Sequence, residues 1–299
     1  MKKYASFLMH DGLWVRLLCL LGIVALGLVL TLLFSFGCIL LNGNASANLT
    51  DNPGILRIMQ FIQSILIFML PALAMGLFIS GNPWKYLQLN RWPSQSQIVL
   101  TVASMFIMVP FMNQIIQWNE AIRLPEYMSG IEQWMREKEN MATESINLIL
   151  STPSWGIRIL NLLLVGVTAA VTEELFFRGM LQNMFLDKWH KKLLAVLLSA
   201  FLFSAIHVQF YGFVPRFILG AYFGLLLVWT GSLWIPILAH FTNNTCALIQ
   251  FYIEQNQQGK ALLEVAEAHT SESWTGGLLT LGSLILFVWV AFCIKKSGR

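Results

Sequence analysis

Apolar residues fall in long solid runs along this chain, separated by short polar segments. The runs near Leu17 to Leu41, Ile58 to Ser80, Ile98 to Trp118, Leu160 to Phe185, Leu193 to Phe213, Phe217 to Thr230, Leu233 to Ile253 and Trp274 to Ile294 predict eight helices. Crossing the roughly 30 Å hydrocarbon core of a bilayer takes about 20 helical residues, which most of these runs supply; the sixth is the shortest. None shows the every-other-residue alternation of a barrel strand, and helices satisfy their own backbone hydrogen bonds in lipid. The expected fold class is therefore an all-α polytopic membrane protein with about eight transmembrane helices.

One stretch has a different period. Between Asn119 and Trp155, Ile131, Trp134 and Met135 recur at helical spacing beside Glu132, Arg136, Glu137, Lys138 and Glu139. That pattern predicts an amphipathic helix along the outer membrane surface, with a solvated connector as the alternative. No internal repeat or low-complexity tract occurs. The chain divides into a three-span N-terminal region at 1–154 that includes this outer segment (about 119–154), a membrane core at 155–252, and an outer loop with the final span at 253–299.

Composition agrees with a membrane protein. Hydrophobic residues make up 57% of the chain, charged residues only 11%, and the mean hydropathy is +0.65. Lysine and arginine mark alternate loops: Lys2 and Lys3, then Lys85 and Arg91, then Lys188, Lys191 and Lys192, then Lys295, Lys296 and Arg299. The intervening loops are neutral or acidic. The positive-inside rule then places both termini in the cytoplasm, with an even number of spans, in what is expected to be a bacterial inner membrane. The first apolar run is too long for a cleaved signal, so it is expected to be retained as a span. The net charge of +4 belongs to these loops and implies no nucleic-acid partner. Cys19, Cys38, Cys246 and Cys293 are scattered without metal-like spacing and suit packing. Asn44 and Asn48 head matches to the glycosylation sequon, a pattern short enough to arise by chance.

The chemistry concentrates in the fourth to seventh runs. Thr172-Glu173-Glu174-Leu-Phe-Phe-Arg178 puts three ionisable side chains in an otherwise apolar helix, where each charge costs roughly 2.5–3.5 kcal/mol or more. Glu174 and Arg178, four apart, can pair along the helix. Glu173 points about 100° away and needs a partner elsewhere. His207 is as far after His190 as Glu173 is before it, so a hairpin turning at Asp187 to Lys192 brings the two to similar depth. His240 and Asn244 share one face of the seventh span. Taken singly, these histidines and the amide are ordinary packing groups. Together they suit attack of an activated water on a carbonyl, with Glu173 as general base and His240 and Asn244 donating to the oxyanion. Spans 4 to 7 would then form a catalytic bundle.

Glu173-Glu174-x-x-x-Arg178, Phe203-x-x-x-His207 and His240-x-x-x-Asn244, in this order on separate spans, resemble the motifs of the CAAX protease and bacteriocin-processing (CPBP, or Abi) family of intramembrane endopeptidases. The chain is similar to its type II CAAX prenyl endopeptidases and to lysostaphin-resistance protein A over about residues 155 to 250. The resemblance implies that Glu173 and His207 activate water, that His240 and Asn244 stabilise the oxyanion, and that Glu174 and Arg178 hold the site together. Members are described both as metalloproteases and as glutamate-dependent enzymes. Glu173, His207 and His240 are the candidate ligands for a divalent ion such as zinc with an open water position. His-Glu-x-x-His is absent, and the metal-free mechanism is the working expectation. The expected partners are membrane lipid and a membrane-associated or lipid-modified peptide. A proton-relaying transporter and a non-enzymatic scaffold or immunity protein are the rivals from other classes. Against the transporter, the sequence shows no repeated halves with paired broken helices.

Overall fold

In a computed structural model, residues 6–41, 52–151, 154–256 and 274–298 are described. The sequons at Asn44 and Asn48, the acidic residues Glu264 and Glu267, and the terminal cations Lys2, Lys3 and Arg299 lie outside them. Every regular element among the described residues is helical. Helix α1 runs Leu13–Leu41 and α2 Pro53–Ser80, the latter capped by the Asn52 side chain, which accepts from the Gly54 and Ile55 amides. After a one-turn helix at Pro83–Tyr86 come α3, Gln95–Ile107, and α4, Val109–Glu120. They form one bent element. Pro110 lacks the amide hydrogen that would continue the ladder, and the axis turns by 44°.

Helix α5, Ser129–Leu150, is the amphipathic segment; α6, Trp155–Trp189, and α7, Lys192–Ala205, form the expected hairpin. The turn closes on His190, which adopts the left-handed conformation (φ 55°) that ends α6. Helix α8 spans Phe213–Thr230 and ends at Gly231, also left-handed; α9 spans Trp234–Asn256 and α10 Trp274–Ser297. Each of the eight apolar runs is thus helical over most of its length, but the fifth, expected from Leu193 to Phe213, is helical only to Ala205 and then turns. Among the described residues, five helices (α1, α2, α6, α8 and α10) are long and apolar enough to cross a membrane, or six with α3 and α4 as one span. Helix α7 is too short by that measure, and α9 spends its middle on His240, Thr242, Asn243 and Asn244. The polar residues that carry the chemistry are what weaken the span signal.

The helix ends gather at two poles. At one, the Leu233 amide donates to Gln88 O at 3.1 Å, the Ser232 hydroxyl to Arg91 O at 2.6 Å, and the Trp234 indole to Leu89 O at 3.0 Å. Asp187 joins them, accepting from Tyr86 at 3.1 Å and pairing with Arg16 at 3.4 Å. Burial and the Asp187 charge push the Tyr86 phenol above its ordinary range. At the opposite pole, buried Arg57 donates to Asn161 Oδ1 at 2.9 Å and to the Ile149 carbonyl, tying α2 to the end of α5 and the start of α6. Asn161 also donates to Ile149 O at 3.1 Å and to the Tyr252 hydroxyl at 2.8 Å.

Helix α7 explains the depth of the site. Its 14 residues rise only about 21 Å at about 1.5 Å each, short of the hydrocarbon thickness. The turn at 206–212 therefore lies below the pole, and α5 covers it. Trp134 meets Phe210 at 5.2 Å between ring centroids, Arg136 sits 4.5 Å over the Tyr211 ring, and Glu139 accepts from Gln209 at 3.2 Å. The amphipathic helix forms as expected, but its inner face packs on this turn and so becomes part of the site's wall.

Candidate active site

Glu173 and Glu174 sit at the junction of two widened, π-helical stretches of α6, Leu162–Thr168 and Leu175–Gln182. Such turns recur at functional sites because they re-aim side chains and loosen the carbonyl ladder. Adjacent in sequence, the two carboxylates have opposite surroundings.

Glu174 is fully buried. Its Oε1 accepts from Arg178 Nη1 at 2.6 Å and from His240 Nδ1 at 2.9 Å. Arg178, also fully buried, donates through Nη2 to Gly220 O at 3.1 Å, and its guanidinium lies 4.3 Å from the Phe203 ring centroid. Helices α6, α8 and α9 are thereby locked around one charge cluster. Buried charges of this kind are tolerable only as partners, since removing one strands the other in a medium that cannot solvate it.

Glu173 is turned the other way and takes no part in that pair. It lines a cavity of about 420 Å³ together with His207, His240, Asn243 and Asn244. Its side chain keeps 17% of its surface exposed, and its Oε2 stands 3.9 Å from His240 Nε2. That separation is too long for a hydrogen bond and leaves the carboxylate free to meet water or substrate.

The imidazoles are oriented by their other nitrogens. A carboxylate oxygen only accepts, so His240 Nδ1 is the donor to Glu174 and Nε2 faces Glu173. In the neutral ring that Nε2 is an acceptor; it donates only as imidazolium. His240 is held in place by Phe223, stacked at 5.3 Å, and by the edge of Phe203 at 5.8 Å. His207, just beyond α7, has Nδ1 2.8 Å from Phe203 O; the carbonyl accepts, leaving the Nε2 lone pair free. Phe203 therefore separates and orients both rings. His207 shares the cavity with Glu173, but among the described residues no ion pair joins them.

Asn244 Nδ2 donates to Val165 O, in the first π-helical stretch, at 2.9 Å, and its Oδ1 accepts from Asn243 at 3.3 Å. One of its two amide hydrogens is thus committed between helices while the other remains for the cavity. Glu173, His207, His240 and Asn244 are brought to one chamber; Glu174 and Arg178 lie behind its wall. As ligands, Glu173, His207 and His240 do not converge: among the described residues no three His, Cys, Asp or Glu side chains are grouped to hold a metal ion. The donor set does not fit a metal in this arrangement.

Several wall residues escape a reading of the sequence. Asn243 steadies Asn244. Arg216, one turn into α8, donates to Gln209 Oε1 at 2.9 Å, and Gln209 in turn bridges to Glu139. An arginine this close to an apolar run was a signal available from sequence; Glu139, in a segment remote along the chain, carried none.

No curated protein and no solved structure matches the chain. Residues 154–246 match the family model described as type II CAAX prenyl endopeptidase Rce1-like. That stretch begins just ahead of α6 and ends inside α9, so it includes Glu173, Glu174, Arg178, His207, His240 and Asn244 but not the chamber residues Glu120 and Glu139. Over residues 154–246 the helical core is accordingly similar to the type II CAAX prenyl endopeptidase Rce1-like family, in agreement with the CAAX protease and bacteriocin-processing motifs in the sequence.

Proposed function

We propose that this protein is an intramembrane endopeptidase that hydrolyses a peptide bond in a membrane-associated or lipid-modified protein or peptide, using water activated by Glu173 and His207. The observation that carries the proposal is the division of labour between the two glutamates. Glu174 is consumed by Arg178 and His240, whereas Glu173 is left in the chamber without a hydrogen bond among the described residues, its Oε2 3.9 Å from His240 Nε2.

In this mechanism Glu173 accepts a proton from a water, and His207 Nε2 accepts a hydrogen bond from that water's second hydrogen and so aims its lone pair. The oxygen adds to the scissile carbonyl carbon. The resulting oxyanion takes the free N–H of Asn244, and that of His240 Nε2 when the ring carries its second proton. Glu173 then returns its proton to the amide nitrogen, the C–N bond breaks, and an acid and an amine leave. General base catalysis of this kind contributes about 10²–10⁴-fold. No step is routed through a metal, and membrane lipid and the peptide are the partners required.

The test is cleavage of a fluorogenic, lipid-modified peptide library by purified protein in detergent, for wild type and Glu173→Gln, each with and without a strong chelator. Activity that is lost in the variant and persists under chelation supports the mechanism. Chelator-sensitive activity replaces it with a metal-dependent one, and cleavage by Glu173→Gln at the wild-type rate removes Glu173 from the reaction.

A further inference from the structure

The chamber lies deep in the membrane core, and its two ends are built differently. Toward the pole formed by Gln88, Arg91, Asp187 and Ser232, the space below Glu174 and Arg178 is filled. Phe177, Met180, Met184, Leu87 and Leu233 are each at most 1% exposed. Gln182 closes the gap between α6 and α8 by donating to Gly224 O at 3.1 Å. Toward the opposite pole the lining passes through Arg216, Tyr211 and Glu139 to exposed Glu120 at the end of α4. Among the described residues, the chamber's lining thus reaches exposed surface at the pole covered by α5, and this end is its mouth.

The charge pattern assigns sides to these poles. The filled pole holds Lys85, Arg91, Lys188, Lys191, Lys192 and the Lys295-Lys296 pair, all in short connections or at helix ends, where basic residues set orientation. The mouth pole also has cations, but Arg57 is buried on Asn161, Arg136 is paired with Glu132 at 2.7 Å, and exposed Arg123 and neighbouring Lys138 stand among Glu120, Glu126, Glu132, Glu137, Glu139 and Glu144, so this pole has no basic excess like that of the filled one.

We infer that the mouth faces away from the cytoplasm, so the substrate is a peptide segment presented from the non-cytoplasmic side of the membrane. The inference rests on the protease reading for its substrate, and on geometry and charge for its side. The mouth suits an extended peptide. Gln209 bridges Glu139 and Arg216, and this leaves Arg216 Nη1 and Glu139 Oε2 buried without hydrogen-bond partners. One unused donor beside one unused acceptor matches the alternating C=O and N–H of a backbone threading past.

Cysteine labelling decides the matter. In a full-length chain whose four cysteines, Cys19, Cys38, Cys246 and Cys293, have been replaced, single cysteines are introduced. Tyr127→Cys, Glu120→Cys and Glu139→Cys stand at the mouth pole, and Trp92→Cys and Lys188→Cys at the filled pole. Expressing bacteria are treated with a membrane-impermeant maleimide before and after permeabilisation. Expected is labelling of Tyr127→Cys, Glu120→Cys and, more slowly, Glu139→Cys in intact cells, with Trp92→Cys and Lys188→Cys reacting only after permeabilisation. The reverse pattern overturns the inference. So does labelling at Tyr127 and Glu120 with Glu139→Cys inert, because the chamber would then be closed on that side. Having several positions at each pole keeps the test alive if one variant fails to fold. If the pattern is as expected but Glu173-dependent cleavage is absent in detergent, the protease reading fails and the sidedness stands.

Discussion

Arg178→Met and Glu173→Gln, compared side by side, test whether the two glutamates have separate duties. Arg178 and Glu174 have no exposed side-chain surface and meet at 2.6 Å. Methionine keeps most of the arginine's length but removes the charge, and Glu174 is left with His240 Nδ1 at 2.9 Å as its one remaining partner. Breaking a buried pair on one side costs about 3–5 kcal/mol. At about 2–4 °C per kcal/mol for a chain of this size class, the melting temperature should fall by roughly 6–20 °C. Glu173→Gln replaces a partly exposed carboxylate with its isostere 3.9 Å from the nearest imidazole nitrogen, so it should change stability by less than about 1 kcal/mol. Its effect belongs in activity, a loss of about 10²–10⁴-fold. Both variants are compared with wild type by thermal unfolding in detergent and by peptide cleavage. The reasoning is refuted if Arg178→Met melts within 2 °C (about 1 kcal/mol) of wild type, or if Glu173→Gln melts as early as Arg178→Met.

Three further outcomes are expected. Gly220→Ala places a Cβ 3.0 Å from Arg178 Nη2, 3.1 Å from Phe203 and 3.3 Å from Ala200, so it should cost about 1–3 kcal/mol of stability and disturb the hold on Arg178, measured by the same melting assay. Asn161→Leu deprives the buried Arg57 Nε of its acceptor, leaving Arg57 only the Ile149 carbonyl, and deprives the Tyr252 hydroxyl of its donor, and a loss of about 3 kcal/mol should appear on unfolding. At the surface, the Arg136 guanidinium and then the Leu124 amide hold the Glu132 carboxyl below the usual glutamate range. Because its folded pKa is depressed, its contribution is complete above the ordinary glutamate pKa and is lost as the pH falls through the lowered one. Protection from hydrogen exchange at the start of α5, taken relative to the intrinsic exchange rate at each pH, should therefore fall on acidification in wild type, and much less so in Glu132→Gln.

Much of the architecture could be read from one dimension because lipid imposes a simple rule: a segment that cannot hydrogen-bond to its surroundings must be helical and apolar for its whole crossing. The eight apolar runs and their helices were located by that rule, although two of them do not meet it for a whole crossing. The span count was harder for a physical reason. Helix α7 stops after 14 residues, and α9 carries an imidazole and two amides in its middle, so both depart from the pattern of a lipid-facing span because they enclose a polar chamber. The Glu174–Arg178 pair was legible as well, since four-residue spacing on a helix places two side chains together whatever surrounds them.

Other features depended on the tertiary structure. Sequence spacing put Glu173 and His207 at similar depth, but only packing set the Phe203 ring between the imidazoles and left the two residues unpaired across the chamber. Which carboxylate would be locked and which free turned on His240 arriving from α9 with Nδ1 toward Glu174. The π-helical turns on either side of the glutamates, the Asn244 bond to Val165 O, and the reach of Glu139 from α5 to the mouth are long-range facts with no local signature. By itself, the sequence determined which segments are helices and which side chains must pay for burial with a partner, because both follow from local spacing and the cost of polar groups in lipid. The tertiary structure decided which partner each one found and where the chamber opens, because those depend on how separate helices cross.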